Sequence, residues 1–162
     1  MSSDRFTPNP VFMRRAIAEA RAHLPAMDGG PFGACLVRGD EVLAVAHNTV
    51  LKDLDPTCHG ETNAIRLAAR KLKNYDLSGC DIYSTTEPCP MCFIRISTAG
   101  CDTKYCTPGP EDGMVTRISC LPPSWQEMAS KQKVELGDCS PEMQKLSHLL
   151  FYSYLLDNRG PY

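Results

Sequence analysis

Apolar residues recur at helical spacing from residue 10 to 24, where Val11, Phe12, Ala16, Ile17, Ala20 and Leu24 are available for one side and Pro10 suits a first helical turn. The pattern breaks at "GGPFG", residues 29–33, a loop rich in glycine and proline. Two short apolar runs, "ACLV" and "EVLAVAHN", then flank the turn "RGD" at 38–40, which predicts a β-hairpin over 34–48. "TVLKDLDPTC" reads as a loop with a proline stop. Residues 59–73 are rich in helix formers, with Ile65, Leu67, Ala68 and Leu72 available for one face. "CDIYSTT" predicts a strand, "CPMCFIRISTA" a helix with proline in its first turn, and "DTKYCT" another strand. Residues 108–132 read as loop with some helix and hold Trp125, "KVELG" as a last strand, and "PEMQKLSHLLFYSYLLD" as a C-terminal helix. Strands alternating with helices predict an α/β layered sheet.

At 162 residues, the chain suits one domain, 1–162, with a core that needs no disulfide support. Hydrophobic residues make up 43% and charged residues 22%, as in an ordinary globular protein. The net charge of −2 provides no global basic excess to hold a phosphate backbone, which counts against a dedicated nucleic-acid binder. No apolar run reaches the roughly 18–20 residues that span a bilayer. The start, "MSSDRFTPNP", has no apolar core for a signal peptide. Nine cysteines at irregular spacing favour buried thiols plus a metal site over a disulfide framework. These features together predict a cytoplasmic protein.

The candidate chemistry lies in "CHGE", 58–61, and "EPCPMC", 87–92. Cys89 and Cys92 form a C-x-x-C at a predicted helix start, where the dipole and free N–H groups favour thiolates. His59 also begins a predicted helix. Two thiolates and an imidazole select zinc over magnesium or calcium, and three protein ligands leave a fourth position open, as in catalytic sites. Glu61 follows His59 by two positions and can reach the site without binding the metal. Zinc activates water near neutral pH, and a carboxylate is then needed to carry the proton. H-x-E followed by P-C-x-x-C is the signature of zinc nucleobase deaminases. A structural zinc or a redox C-x-x-C is the alternative, but Cys58 is adjacent to His59 and cannot face the same point as a fourth ligand. Cys35, Cys80, Cys101, Cys106, Cys120 and Cys139 read as small buried hydrophobes. His23 and His148 read as surface or core residues of amphipathic helices.

"GGPFGA" at 29–34, "HN" at 47–48, "DPTCHGE" at 55–61 and "EPCPMC" at 87–92 resemble, in order, the cytidine deaminase-like superfamily, and within it the bacterial guanine deaminase branch. The resemblance covers roughly residues 10–107, and the H-G-E form also resembles fungal cytosine deaminases. It implies a three-layer α/β fold with a five-stranded mixed sheet between helices. It implies zinc (Zn2+) on His59, Cys89 and Cys92, with Glu61 as the proton shuttle. It further implies that Asn48 hydrogen-bonds the base through its amide, that Phe32 packs on the ring, that the Gly60 N–H bonds a ring carbonyl, and that C-terminal residues, here Tyr162, close the site in the same or a partner chain. Set beside these roles, Asn48 also suits a turn cap, Phe32 core packing and Tyr162 a frayed end.

The chain departs from the branch at "FIRISTAG", 93–100, with Arg95 inside the helix, and at "PEDGMVTRISC", 110–120, where Glu111 or Asp112 would have to meet a purine edge. The expectation is therefore a zinc-dependent deaminase of a free aminated base, guanine first and cytosine, isocytosine or s-triazine rings next, acting as a homodimer without membrane or nucleic acid. Its rivals are a tRNA-specific adenosine deaminase, which shares both motifs, and a zinc-stabilised interaction module that has lost activity.

Overall fold

A computed structural model describes residues 9–105 and 134–136. Helix α1, Pro10–His23, leads into β1, Gly33–Arg38, and β2, Glu41–His47. A short helix α2, Val50–Asp53, precedes α3, Gly60–Leu72. Strand β3, Asp81–Ser84, is followed by α4, Pro90–Ala99, and β4, Asp102–Tyr105; a last strand, β5, is Val134–Leu136.

Helix α1 starts where Asn9 Oδ1 accepts the Val11 N–H at 3.0 Å and Pro10 supplies a preset first turn. It buries Phe12, Met13, Ala16, Ile17 and Ala20, while Val11 is 47% exposed. The inward face is thus turned so that Met13, and not Val11, packs inside. The buried Tyr83 hydroxyl accepts the Asn9 N–H at 3.2 Å and its ring meets Phe12 edge-on, which ties the helix start to β3.

Strand β1 is buried on both faces, and the two faces serve two cores. Cys35 and Val37 pack with Phe12, Met13, Ala16, Ile17 and Tyr83 under α1. Ala34 and Leu36 pack on the other side with Ala64 and Ala68 of α3 and Ile96 and Ala99 of α4. Alternation explains the sorting, since successive strand residues point to opposite faces. Strand β2 breaks alternation once. The register with β1 shifts between Leu36 and Val37, so Leu43 and Ala44 both face the α3 side while Val42 and Val45 face α1.

Strand β1 pairs antiparallel with β2 across the turn at Gly39, whose φ of +56° glycine adopts without strain, and antiparallel with β3. Helix α4 is the crossover that brings β4 back parallel to β3. Backbone pairing carries the sheet through β4 to β5, in the order β2-β1-β3-β4-β5.

Two further sequence expectations change. The loop after Asn48 contains α2, because the Leu51 and Lys52 N–H groups find the Asp28 carbonyl at 3.0 and 2.9 Å. Leu54, at φ +51°, ends it. Leu67 is 46% exposed and leaves the apolar face of α3 to Ala64 and Ala68, with Ile65 and Leu72 packed at its edge. Cys35, Cys80 and Cys101 are buried as expected, while Cys106, Cys120, Cys139, Trp125, His148 and the expected C-terminal helix lie outside the described residues.

Gly33 allows α1 to lie against β1. A Cβ there would stand 2.2 Å from the Ala16 carbonyl oxygen, a backbone atom that cannot step aside alone. Gly33→Ala is expected to cost about 1–3 kcal/mol as an overpacked contact. Urea unfolding measures it, and an unchanged midpoint would show that α1 sits less tightly than described.

Candidate metal centre and proton-transfer site

His59 is the N-cap of α3 and Cys89 the N-cap of α4. Both have extended backbone, and neither side chain caps its own helix. They turn toward each other instead. His59 Nδ1 lies 3.5 Å from Cys89 Sγ and 3.5 Å from Cys92 Sγ, one turn into α4. The three donor atoms all lie within 4.8 Å of one another. Zinc bonds of about 2.3 Å to sulfur and about 2.0 Å to nitrogen, set at the tetrahedral angle, put nitrogen and sulfur about 3.5 Å apart. The spacing and the soft donor set therefore fit zinc, with no rearrangement of these residues.

Glu61 sits in the first turn of α3 and is 4% exposed. Ser84 Oγ donates to its Oε1 at 3.0 Å, and Cys92 Sγ donates to its Oε2 at 3.5 Å. The carboxylate thus reaches the cluster without joining the three donors. Burial is the main cause that raises its pKa above the ordinary carboxylate value. The two thiols share one proton. Hydrogen bonding with Cys92 first, against opposing burial and with help from His59, takes Cys89 down to about 4. Cys92 is pushed up by the same bond and by burial. The Cys89 thiolate in turn raises the pKa of His59, against the effect of burial. Helix N-termini and an imidazole thus already favour one thiolate, and a divalent cation would favour the second.

Around this cluster the structure groups three of the expected substrate contacts. The Asn48 N–H donates to the Phe32 carbonyl at 2.9 Å, and a Cβ on Gly60 would lie 3.2 Å from that same oxygen. Asn48 is 2% exposed and its Oδ1 accepts the Val50 N–H at 3.1 Å, so it does cap a turn. Gly29 is pressed against it, for a Cβ there would stand 2.2 Å from Asn48 Oδ1. Phe32 is half-buried. Tyr162, Glu111 and Asp112 lie outside the described residues.

Two features escaped the sequence reading. Ser84 looked like an ordinary strand residue, although its alternation with Ile82 does place it on the α3 side. His47 looks in the sequence like no more than a neighbour of Asn48, yet it bridges two carboxylates, Glu19 and Asp28.

A family model for the cytidine and deoxycytidylate deaminase zinc-binding region matches residues 7–107. The chain belongs to this deaminase family. Guanine deaminase of Bacillus subtilis (strain 168) is 43% identical over 86 residues, 53% of this chain and 55% of that protein. The solved structure of guanine deaminase from Bacillus subtilis superposes with a TM-score of 0.59 at 36% identity, covering 63% of this chain and 66% of that one. The tRNA-specific adenosine deaminase of Aquifex aeolicus (strain VF5) is 42% identical over 87 residues, 52% of this chain and 56% of that protein. The chain thus spans about half the length of the curated relatives it matches. These relatives support the α/β deaminase fold and a hydrolytic deaminase with zinc as cofactor, and they leave the substrate between a free base and a tRNA.

Replacing Cys89, Cys92 or His59 by alanine is expected to abolish stoichiometric zinc in the deaminase, while Cys35→Ala keeps it. Metal analysis of the purified variants decides, and full zinc content in Cys89→Ala and Cys92→Ala would remove the C-x-x-C from the site.

Proposed function

We propose that the chain is a zinc-dependent aminohydrolase that removes the amino group from a free aminated nucleobase or related heterocycle, with guanine the first substrate and cytosine-like or s-triazine rings next. The observation that carries this is the buried Glu61 carboxylate beside the His59, Cys89 and Cys92 donors. A metal centre that only braced the fold would not need an ionisable group there, in an environment that penalises its charge.

His59, Cys89 and Cys92 would hold the zinc, which when bound supplies a water nucleophile near neutral pH. Glu61 takes the proton from that water as the oxygen adds to the ring carbon bearing the amino group. It delivers this proton to the adjacent ring nitrogen, then takes the remaining proton of the added hydroxyl and passes it to the amine as the C–N bond breaks. Water and the aminated ring become ammonia and an oxo-base. The raised proton affinity of Glu61 suits a group that must both take and give a proton. Ser84, bonded to Oε1, holds the carboxylate in one orientation. The Asn48 amide and the Gly60 N–H hydrogen-bond the ring edge, Phe32 packs on its face, and Tyr162 folds over it from the same chain or a partner's.

This reading includes a single domain over 1–162, a five-stranded sheet between helices, a homodimer and a cytoplasmic location. Among the described residues no helix is long and apolar enough to cross a membrane. The likeness to tRNA-specific adenosine deaminases gives the second reading, in which the same chemistry acts on an adenosine within tRNA. The net charge of −2 favours the first, because holding a tRNA phosphate backbone needs basic surface.

Ammonia release from guanine, cytosine, isocytosine, adenine, ammeline and tRNA separates the two. Turnover of guanine is expected, and release from tRNA alone would install the second reading. Glu61→Gln keeps the side-chain shape and cannot shuttle protons. It is expected to keep zinc and fold and to lower kcat by about 10²–10⁴-fold. Near-normal turnover would refute the role given to Glu61.

A further inference from the structure

A second cluster of metal-class donors lies between the last turns of α1 and the end of β2. Glu19, His23 and His47 each offer a ligand atom within 4.8 Å of the others. His47 Nε2 lies 3.0 Å from Asp28 Oδ2, and its Nδ1 lies 2.9 Å from Glu19 Oε1. His23 Nδ1 is 3.5 Å from the same Glu19 oxygen.

Hydrogen-bond bookkeeping makes this arrangement unusual. Asp28 Oδ2 also lies 3.5 Å from Lys52 Nζ, and a carboxylate set between an imidazole N–H and an ammonium accepts only. The proton between them therefore belongs to His47 Nε2. In the neutral ring Nδ1 then carries a lone pair, and it points at a carboxylate oxygen 2.9 Å away. Two acceptors face each other at contact distance, and a positive species must stand at that junction. A second proton on His47 is one solution and a divalent cation is the other.

Three observations favour the cation. A metal-ligating histidine commonly donates its other ring N–H to a carboxylate, which is the Asp28–His47 arrangement. The His47 Nδ1 to Glu19 Oε1 separation of 2.9 Å needs to open by only a few tenths of an ångström to reach the roughly 3.3 Å expected between nitrogen and oxygen ligands of tetrahedral zinc. Glu19 and His47 also line an open surface groove of 340 Å3, through which an ion can enter. The His23 and His47 rings lie stacked, centroids 3.7 Å apart, so His23 must turn out of the stack to ligate. It is the most exposed member, at 38%, and the turn gives up its ring stacking and its Nδ1 contact with the Glu19 carbonyl.

We propose that Glu19, His23 and His47 form a second divalent-cation site of imidazole and carboxylate donors, with Asp28 as the outer carboxylate that orients His47. Such donors suit zinc, cobalt or nickel over magnesium. The site is separate from His59, Cys89 and Cys92, and it contains no thiolate.

Cobalt titration of the tag-free, metal-stripped chain tests it. Two equivalents are expected per chain. The first brings thiolate-to-cobalt charge-transfer absorption and the second does not. His23→Ala and Glu19→Gln should each lose the second equivalent and keep the first, while Cys89→Ala loses the first and keeps the second. With zinc, the second equivalent should raise the melting temperature of the wild-type chain and leave that of His23→Ala unchanged. Binding of a single equivalent by the wild type overturns the site, as does a second equivalent that shows thiolate absorption or survives in both His23→Ala and Glu19→Gln.

Discussion

Two helix N-termini have to meet at one point, and the rest of the described structure is arranged around that requirement. His59 and Cys89 are both N-caps, and in most helices such a residue spends its side chain on its own free N–H groups. Here both side chains are turned across the gap, at 3.5 Å from each other. The sheet makes the meeting possible. Strand β1 sits between β2, which leads into α3, and β3, which leads into α4, so both helices start over the same edge. Ala64, Ala68, Ile96 and Ala99 then seat them on Ala34 and Leu36. Small residues on the inward side of α3 let it approach closely, which brings Glu61 within reach of Ser84 on β3.

Close approach is also what the glycines supply. Gly33 lets α1 lie on β1, Gly29 lets the preceding loop lie on Asn48, and Gly60 brings the start of α3 near the Phe32 carbonyl. In each case the partner is a backbone atom or the buried Asn48 side chain, which cannot swing away as a surface side chain can. The motif "GGPFGA" therefore has a packing explanation that holds whatever the ring it faces, and its chemical role rests on Phe32, which the loop presents half-buried.

Most of the described fold was legible because it is written in local patterns. The helical spacing in α1, the hairpin around Gly39 and the cysteine spacing at the start of α4 each depend on a few neighbouring residues. So did the metal donors, since His59, Cys89 and Cys92 belong to two short motifs. What stayed hidden depends on pairs distant in sequence. Helix α2 forms because Asp28 offers its carbonyl to Leu51 and Lys52. Met13 replaces Val11 in the core because the Asn9 cap and the Tyr83 hydroxyl fix the rotation of α1. Ser84 meets Glu61, and His47 meets both Glu19 and Asp28, only after the strands are in register. None of these leaves a mark in a single stretch of sequence.

The two donor clusters solve the same electrostatic problem at different depths. In each, groups that accept protons or metals are packed closer than their charges would tolerate alone. At Cys89 and Cys92, the one half-buried and the other buried, the hydrogen bond between the sulfurs and then burial let only one thiolate form without a cation, and the other sulfur keeps its proton. Around His47 the side chains are 12–38% exposed, and solvent screens part of the repulsion. A divalent ion therefore has more to offset at His59, Cys89 and Cys92 than at Glu19, His23 and His47, and the two sites should fill in that order. The link between them is short in sequence. His47 directly precedes Asn48, and the Asn63 amide N–H donates to the His47 carbonyl at 3.0 Å from within the first turn of α3, four residues after His59. The same strand end thus sets the His47 ring between Glu19 and Asp28 and presents Asn48 to the Phe32 loop.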